Sequence, residues 1–380
     1  LRTPFLCSMS ATLQDIVNLL ESRYPSAWAV TGDRAGLEVG HPAQLVEAIL
    51  VALEVTPAVV AEASHRGAQL LLTHHPLLYR PIEDVREDRP GGRRLAALLR
   101  ARLAMVSCHT NLDIAPGGLN DYLAQKLELT GVEVLTPTTR DRWYKLVVFV
   151  PAGYEDRVRQ ALGDAGLGVI GRYSYCSFAS PGQGTYRPLP GARPFRGETD
   201  QLSRADESRL EILAPESMLP AALARLKETH PYEEVAYDLY PVQHPGTPLG
   251  LGRIGGWPEP RPLAQVIAAL KEIFAVETVE VWGRPPQEVQ RLALCSGSGG
   301  DLLPDALARG AQIYLTGEVR HHQVPPGLRE DFAVVAVGHF SSEVVFMEPW
   351  ARQLRELFQE AGLGIDVMVA ATQPAPCCYR

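Results

Sequence analysis

Short apolar stretches alternate with amphipathic ones near both ends of the chain. In the first part, the pattern predicts a strand at 48–53, a helix at 57–65 and a second strand at 66–73. Near the other end, the same strand–helix–strand pattern recurs over residues 292–316. Strands that alternate with helices in this way are typical of α/β layers whose strands pair largely in parallel. The chain is therefore predicted to have an α/β fold.

The two ends also resemble each other in sequence. Residues 66–73 read RGAQLLLT and residues 309–316 read RGAQIYLT, identical at six of eight positions. Further along, residues 105–113 read MVSCHTNLD and residues 335–343 read VAVGHFSSE, and each segment is a predicted strand that ends in a His-x-x-x-acid pair. Two matches in the same order indicate an internal duplication. The chain is therefore predicted to contain two related halves.

A different pattern separates these halves. Between them the sequence predicts a strand-helix-strand-strand-helix-strand order, which is typical of a ferredoxin-like unit. Within it, strands are predicted at 172–179 and 184–190 with Gly- and Pro-rich turns around them. We therefore expect four segments: a first half of the main domain (9–130), an inserted α+β domain (131–245), a second half (246–372) and a tail (373–380).

Two adjacent histidines, His74 and His75, follow the strand at 66–73 and precede Pro76. Neighbouring residues of a regular strand point to opposite faces, so both rings reach one site only where the strand has ended. Pro76 favours such an end because it has no backbone N–H to donate. Two interpretations follow: the rings face different metal ions of a close pair, or they are surface or structural groups.

A second polar pair, His339 and Glu343, follows a predicted strand in the second half. A spacing of four residues puts both side chains on one face of a helical turn. His109 and Asp113 have the same spacing in the first half, where we predict a loop closed by a Pro-Gly-Gly sequence. The duplication thus places a histidine and an acid at equivalent positions of both halves.

Three or four imidazoles and two carboxylates, without a thiolate, make a mixed nitrogen and oxygen donor set. Such a set suits zinc, iron(II), manganese or cobalt. It contains more ligands than one tetrahedral ion needs, which favours two divalent ions about 3.5–4 Å apart that share a bridging group. Binding sites in α/β sheets lie beyond the carboxyl ends of the strands, where these residues are found. The sequence therefore predicts a dinuclear metal site there.

These motifs resemble those of the NIF-three-like family, whose members are often described as GTP cyclohydrolase I type 2 homologs. The resemblance covers the chain from residue 9 to about residue 371. The matching motifs are GLEVG at 36–40, THHPL at 73–77, SCHTNLD at 107–113, GLND at 118–121, GSGG at 297–300, TGE at 316–318 and GHFSSE at 338–343. The resemblance implies a duplicated α/β fold with a dinuclear metal centre, assembled as a ring-shaped homohexamer.

Matching the motifs position by position, the resemblance also implies which residues bind metal. The implied ligands are His74, His75, Asp113, His339 and Glu343. His109 falls beside them and is expected to support a ligand or to act from the substrate side. Glu318 occupies in the second half the position that His75 has in the first. Under the implied activity, His109 or Glu318 would transfer protons.

The inserted segment carries a resemblance of its own. The sequence HPYEEVAYD at 230–238 is similar to the end of the CutA-like, PII-like domain of longer family members. One position departs from the family pattern, which usually has Trp-Asp shortly before the GLEVG motif. Here Trp28 is followed by Ala29, and the nearest acid is Asp33. The resemblance therefore assigns Asp33 no role.

Two functions of different classes are compatible with these residues. The first, which the resemblance implies, is a metal-dependent hydrolase acting on a purine nucleotide or a related small anion, with GTP ring opening and formate release as the suggested reaction. A Gly-rich segment would either hold a substrate phosphate through its backbone N–H groups or form a simple tight turn; its residues are Gly297, Ser298, Gly299 and Gly300. The alternative is a non-enzymatic metal-binding scaffold or regulator with a PII-like sensor domain.

Composition limits the kinds of partner and the location that we expect for the chain. The net charge of −8 does not favour nonspecific binding to nucleic acid phosphates. No run of 18 apolar residues occurs, so no membrane-spanning segment is expected. The six cysteines form no CxxC pair, which favours reduced thiols and a cytoplasmic location. The expected partners are therefore further copies of the chain and a small anionic substrate.

Overall fold

The computed structural model describes the chain at residues 11–325, 328 and 330–373. These residues divide into two compact units. Unit 1 contains the described residues up to Thr139 and those from Leu249 onward, and unit 2 contains Arg140–Pro248. All predicted site residues lie in unit 1.

Unit 1 begins with a set of strands and helices that form its first half. In chain order they are β1 (Ala11–Thr12), α1 (Leu13–Arg23), β2 (Gly36–Val39), β3 (Leu45–Val46), β4 (Ala48–Ala52), α2 (Pro57–His65), β5 (Leu70–Thr73), α3 (Pro90–Ala101), β6 (Ala104–Ser107), α4 (Thr110–Ile114) and α5 (Leu119–Lys126). Local signals explain where helices begin. Thr12 and Asp15 form a capping box at α1, and Thr56 caps α2, whose first residue is Pro57.

The middle of the chain contains the elements of unit 2 together with two strands that cross its boundaries. They are β7 (Thr130–Pro151), α6 (Glu155–Asp164), β8 (Ser177–Tyr186), β9 (Ser203–Pro215), α7 (Leu219–Thr229) and β10 (Tyr237–Pro262). The boundaries between the units therefore fall inside β7 and β10. The order of elements within unit 2 is the strand-helix-strand-strand-helix-strand order expected from the sequence.

The second half of unit 1 completes the chain. Its elements are α8 (Leu263–Phe274), β11 (Glu280–Arg284), β12 (Glu288–Cys295), α9 (Leu303–Ala308), β13 (Ile313–Thr316), β14 (Phe332–Ala336), α10 (His339–Val344), α11 (Met347–Glu360) and β15 (Asp366–Val369). The predicted tail from Pro374 onward and the cysteines Cys7, Cys377 and Cys378 lie outside the described residues.

The two halves of unit 1 have matching sheets. In the first, β4, β5 and β6 pair in parallel, and β2 pairs with β6 in the antiparallel sense. In the second, β12, β13 and β14 pair in parallel, and β11 pairs with β14 in the antiparallel sense. The remaining neighbours differ, since β15 runs parallel to β4 whereas β10 runs antiparallel to β12. The α/β fold predicted from the sequence is confirmed, and the sheet order supports the duplication.

A pair of equivalent glutamines repeats the same hydrogen bonds in both halves. The Gln69 side chain accepts from the backbone N–H groups of Glu47 and Ala48, each at 2.9 Å. The Gln312 side chain accepts from those of Gln290 and Arg291, at 2.8 and 3.0 Å. Both glutamines belong to the repeated RGAQ sequence, so the repeat preserves a contact that joins two neighbouring strands.

The alternation of side chains along the central strands places the cores. Leu70 and Leu72 of β5 and Ile313 and Leu315 of β13 belong to one apolar core that both halves share. The intervening Leu71 packs on the opposite face of its sheet, in a separate cluster. The central strands are buried on both faces, as expected for parallel strands covered by helices.

Unit 2 has its own apolar core. One prediction made for this part of the chain is wrong. A turn was expected around Pro181, between two separate strands, but Pro181 lies inside the continuous strand β8 and pairs with Ser208 of β9. The reason is its position, because β8 is the edge strand in the order β10-β7-β9-β8. An edge strand tolerates proline since one side of it needs no ladder hydrogen bonds.

None of the helices in the described ranges is long and apolar enough to cross a membrane.

Candidate metal centre

The first half supplies two histidines from the end of β5. The N–H groups of His74 and His75 donate to the carbonyls of Ala52 and Leu53, at 3.2 and 2.8 Å, so pairing with β4 continues past the strand. The Thr73 hydroxyl donates to the carbonyl of His75 at 2.7 Å. The two ring centroids are 5.2 Å apart, so the two adjacent histidine rings lie side by side.

The second half supplies His339 and Glu343 from α10. The helix begins at His339, directly after Gly338, whose φ of +94° few other residues adopt readily. The spacing of four residues places both side chains on one face, with His339 Nε2 3.2 Å from Glu343 Oε2. Asp113 lies on α4, so the segment at 110–114 is a short helix and the loop predicted there is wrong.

Three donor atoms from both halves converge. His75 Nε2 lies 3.0 Å from Glu343 Oε2 and 3.4 Å from His339 Nε2, which closes a triangle with the His339–Glu343 contact. Ligand atoms around a tetrahedral zinc, at bond lengths of about 2.0–2.1 Å, are about 3.3–3.4 Å from one another. The edges of the triangle are close to this value, so the three atoms fit around one cation.

The other oxygen of Glu343 faces a second set of donors. His74 Nε2 lies 3.7 Å from Glu343 Oε1 and 3.8 Å from Asp113 Oδ1. His74 Nδ1 donates to the carbonyl of Cys108 at 2.9 Å, since a carbonyl can only accept. That bond fixes the ring so that Nε2 is the nitrogen facing the acids. The two carboxylate oxygens of Glu343 therefore point to different groups of imidazoles.

Two buried atoms of this cluster have no hydrogen-bond partner among the described residues: His74 Nε2 and Glu343 Oε2. Buried polar atoms are nearly always paired, so such orphans need an explanation. Here each orphan lies within 4 Å of other ligand-type atoms. A bound cation would satisfy both, and the residues present fit such a group.

The histidine rings share one mode of support. His339 Nδ1 lies 3.1 Å from Glu318 Oε1, and His109 Nδ1 lies 2.6 Å from Asp33 Oδ1. Together with the His74–Cys108 bond, three rings are held through Nδ1 by an oxygen. Metal-binding histidines are typically held in this way. The donor atoms of His74, His75 and His109 also lie within 4.8 Å of one another, forming a second possible metal group.

Asp113 is held by Asn120 of the GLND motif and by Ser296. Its backbone carbonyl accepts from the Asn120 side chain at 3.2 Å, and its Oδ1 accepts from the Ser296 hydroxyl at 3.4 Å. Asn120 in turn accepts from the backbone N–H of Ser296 at 3.0 Å. These contacts tie the metal-facing acid of the first half to the Gly-rich segment of the second.

The Gly-rich segment lies against Glu343. A Cβ at Gly297, which has φ +61°, would overlap Glu343 Oε1. The N–H groups of Gly297 and Gly299 donate to the hydroxyls of Ser342 and Thr316, at 2.9 and 3.1 Å. These two amides therefore have partners within the protein and are not free to hold a phosphate. Among the four residues, Ser298 is exposed, and substrate contact by it stays a prediction.

The charges of the cluster shift its titration. Burial lowers the pKa of His74, but the charges of Asp113 and Glu343 outweigh it and raise the pKa to about 9. Hydrogen bonding to Glu343 raises the pKa of His339 to about 9. Burial favours neutral Glu343, but the close imidazoles of His339, His74 and His75 hold its pKa well below the usual value. Burial raises the pKa of Asp113. Without metal, the raised pKa values of His74 and His339 favour protons on these two rings beside the acids.

The fold and the site define a class: α/β proteins with a duplicated sheet and a buried cluster of imidazoles and carboxylates contributed by both halves. The family model of Duf34/NIF3 (NGG1p interacting factor 3) matches residues 11–376. The chain belongs to this family, which confirms the resemblance seen in the motifs.

Relatives of similar length support this assignment. The chain is 38% identical over 366 residues to the GTP cyclohydrolase 1 type 2 homolog of Bacillus subtilis, covering 96% of this chain and 98% of the relative. It is 36% identical over 376 residues to the protein of that name from Mycobacterium tuberculosis, covering 96% and 97%. A Bacillus cereus protein related to NIF3 has a similar structure, with a TM-score of 0.83, 35% identity and coverage of 98% and 100%.

Proposed function

We propose that the chain binds two divalent metal ions at this cluster and is a metal-dependent hydrolase of a purine nucleotide or a related small anion. The observation that carries the proposal is the position of Glu343. Its Oε2 lies within 3.2 Å of two imidazole nitrogens, and its Oε1 lies 3.7 Å from a third. A carboxylate in this arrangement suits the role of a bridge between two ions.

Each ion would have ligands from both halves. His75, His339 and Glu343 Oε2 would hold one, and His74, Asp113 and Glu343 Oε1 the other. Zinc, iron(II), manganese and cobalt all suit imidazoles combined with carboxylates. Two ions so held supply Lewis acidity, which lowers the pKa of water and offsets negative charge developing on a substrate oxygen.

Two residues at the edge of the cluster are placed to move protons. The His109 ring is 22% exposed and packs against His74 and His75, with ring centroids 5.3 and 5.7 Å away. The Glu318 side chain is 54% exposed and contacts His339 through Nδ1. We assign proton transfer with substrate to His109, because Glu318 is already engaged in orienting His339.

The metal content gives the first test of the proposal. Full-length chain loaded with zinc and dialysed should contain about two ions per chain by elemental analysis. Glu343→Gln should hold fewer, because an amide is a poor bridge and leaves the two groups of imidazoles separate. Glu318→Gln is the control and should keep both ions, since it contacts only the outer nitrogen of His339. Equal metal contents in all three proteins would contradict the proposal.

The substrate needs its own test. The names of the relatives support GTP as the first compound to assay. Metal-loaded chain is incubated with GTP, and formate release is measured over hours, with Glu343→Gln as the inactive control. Formate released only by the unaltered chain would support the ring-opening reaction. No formate, alongside turnover of other small anions, would exclude GTP, and full metal content without any turnover would favour the scaffold or regulator. Assembly as a homohexamer stays a prediction, which sedimentation analysis can check.

A further inference from the structure

We propose that Asp33 is a positioning residue that fixes the ring of His109, so that His109 Nε2 presents its lone pair to the metal cluster. The inference rests on the proposed function, which gives His109 the proton-transfer role. It assigns a role to the acid that departs from the family pattern in the sequence. Its support comes from the hydrogen bonds around Asp33.

The Asp33 carboxylate is surrounded by donors. Its side chain is 4% exposed. Oδ1 accepts from the backbone N–H of Arg34 at 2.7 Å and lies 2.6 Å from His109 Nδ1. Oδ2 accepts from the backbone N–H of Thr110 at 3.1 Å and from the Thr110 hydroxyl. Both oxygens are therefore used as acceptors.

The hydroxyl of Thr110 settles the direction of one of these bonds. The backbone N–H of Val30 donates to Thr110 Oγ1 at 3.0 Å, so the single hydroxyl proton is free to point at Asp33. Burial alone raises the pKa of Asp33, but hydrogen bonds from His109 and Thr110 lower it below the usual value. An ionised carboxylate can only accept. The proton in the contact between Asp33 and His109 must therefore be on Nδ1.

With its proton on Nδ1, a neutral imidazole has its lone pair on Nε2. One ring nitrogen of His109 lies within 4.8 Å of the ligand atoms of His74 and His75. Because Asp33 already occupies Nδ1, we assign the nitrogen that faces the cluster to Nε2. Tyr79 packs edge-on against the ring, with centroids 6.3 Å apart, and restricts its rotation. The ring is thus held in one tautomer and one orientation.

The consequence for chemistry is a defined proton path. An O–H bond of water or substrate breaks, the proton forms a bond with His109 Nε2, and the oxygen keeps the electron pair. The imidazolium that results lies against the negative charge of Asp33, which stabilises it. Asp33 keeps its ionised form throughout, and the proton later returns from Nε2 to a leaving group.

A spectroscopic test separates this inference from the proposed function. Full-length chain labelled with 15N-histidine is studied by solid-state NMR with and without zinc, and His109 is assigned by subtracting the spectrum of His109→Asn. We expect the neutral ring in the unaltered chain to carry its proton on Nδ1, the nitrogen that faces Asp33. In Asp33→Asn the proton should move to Nε2. A proton on Nε2 in the unaltered chain would overturn the inference whether or not the protein is an enzyme, because this readout does not depend on activity.

A kinetic test uses the substrate found under the proposed function. Replacing the carboxylate that orients a catalytic histidine by an amide stabilises the wrong tautomer and lowers kcat by up to about 10⁴-fold. Asp33→Asn should therefore lower kcat by about 10²–10⁴-fold with little change in KM and full metal content. Asp15→Asn is the matched control, because Asp15 only caps α1, and it should leave kcat unchanged. An unchanged kcat in Asp33→Asn would contradict the inference.

Discussion

Glu343 Oε2 lies 3.0 Å from His75 Nε2, and this contact joins the two halves of the duplicated fold. His75 follows β5 of the first half, and Glu343 lies on α10 of the second. Neither half contains the triangle of His75, His339 and Glu343 by itself. The triangle is therefore complete only where both halves contribute residues.

The space beside Glu343 gives a first prediction. Gly297→Ala places a Cβ against Glu343 Oε1 and should lower metal content and stability together. The control is Gly310→Ala, because Gly310 has a similar positive φ, +75° against +61°, but no atom within 4 Å of an added Cβ. Both variants carry backbone strain of about 1–2 kcal/mol. Elemental analysis should show metal loss only in Gly297→Ala, whereas urea unfolding should show lower stability in both variants. Equal metal loss in both would contradict the account.

The stability of the metal-free chain should depend on pH in a defined direction. The pKa values of His74 and His339 are raised from 6.5 to about 9 in the folded chain. A histidine whose pKa is raised by folding stabilises the fold fully when the pH is below its pKa in the unfolded chain. This contribution is lost as the pH rises through its pKa in the folded chain. The free energy of unfolding should therefore fall between pH 6.5 and about 9. Urea titrations at several pH values, with chelator present, measure it.

Two comparisons check the origin of this pH dependence. In Glu343→Gln the acid that raises both pKa values is gone, so the fall should become much shallower. Zinc affinity should show the opposite trend and increase with pH, because zinc binds imidazoles only after their protons leave. An unchanged slope in Glu343→Gln would show that other groups cause the dependence.

The equivalent glutamines give a prediction about the duplication. Gln69→Ala and Gln312→Ala each leave two backbone N–H groups without their acceptor. Each should lower the free energy of unfolding by about 0.5–1.5 kcal/mol, and by similar amounts, because water can reach most of the freed N–H groups. Gln14→Ala is the control, because the Gln14 side chain donates to the exposed side chain of Asn18, and it should change stability by less than about 0.5 kcal/mol. A large effect in one half alone would argue against equivalent roles.

Much of this architecture is predictable from sequence because the duplication leaves two copies of each signal. The repeated RGAQ sequence and the repeated His-x-x-x-acid spacing identify equivalent strands. The apolar runs show which strands are buried on both faces. The chemistry of histidines and acids at strand ends then indicates a metal site.

Other features depend on tertiary contacts, which local sequence patterns do not predict. Asp33 and His109 are 76 residues apart in the chain, and the sequence around Asp33 does not predict their contact. From sequence, the Gly-rich segment is either a phosphate-binding segment or a simple tight turn. In the structure, two of its backbone N–H groups donate to the hydroxyls of Ser342 and Thr316. Sequence alone suggests a turn at Pro181, because proline is rare inside strands. The pattern does not show that its strand lies at the edge of the sheet, where proline is tolerated.

The position of the metal ions tests the central claim most directly. Crystals of the full chain grown with zinc, measured at the zinc absorption edge, should show two anomalous peaks about 3.5–4 Å apart with Glu343 between them. One peak should contact His75 and His339, and the other His74 and Asp113. Crystals with ample zinc that show no peak within bonding distance of Glu343 would contradict the account.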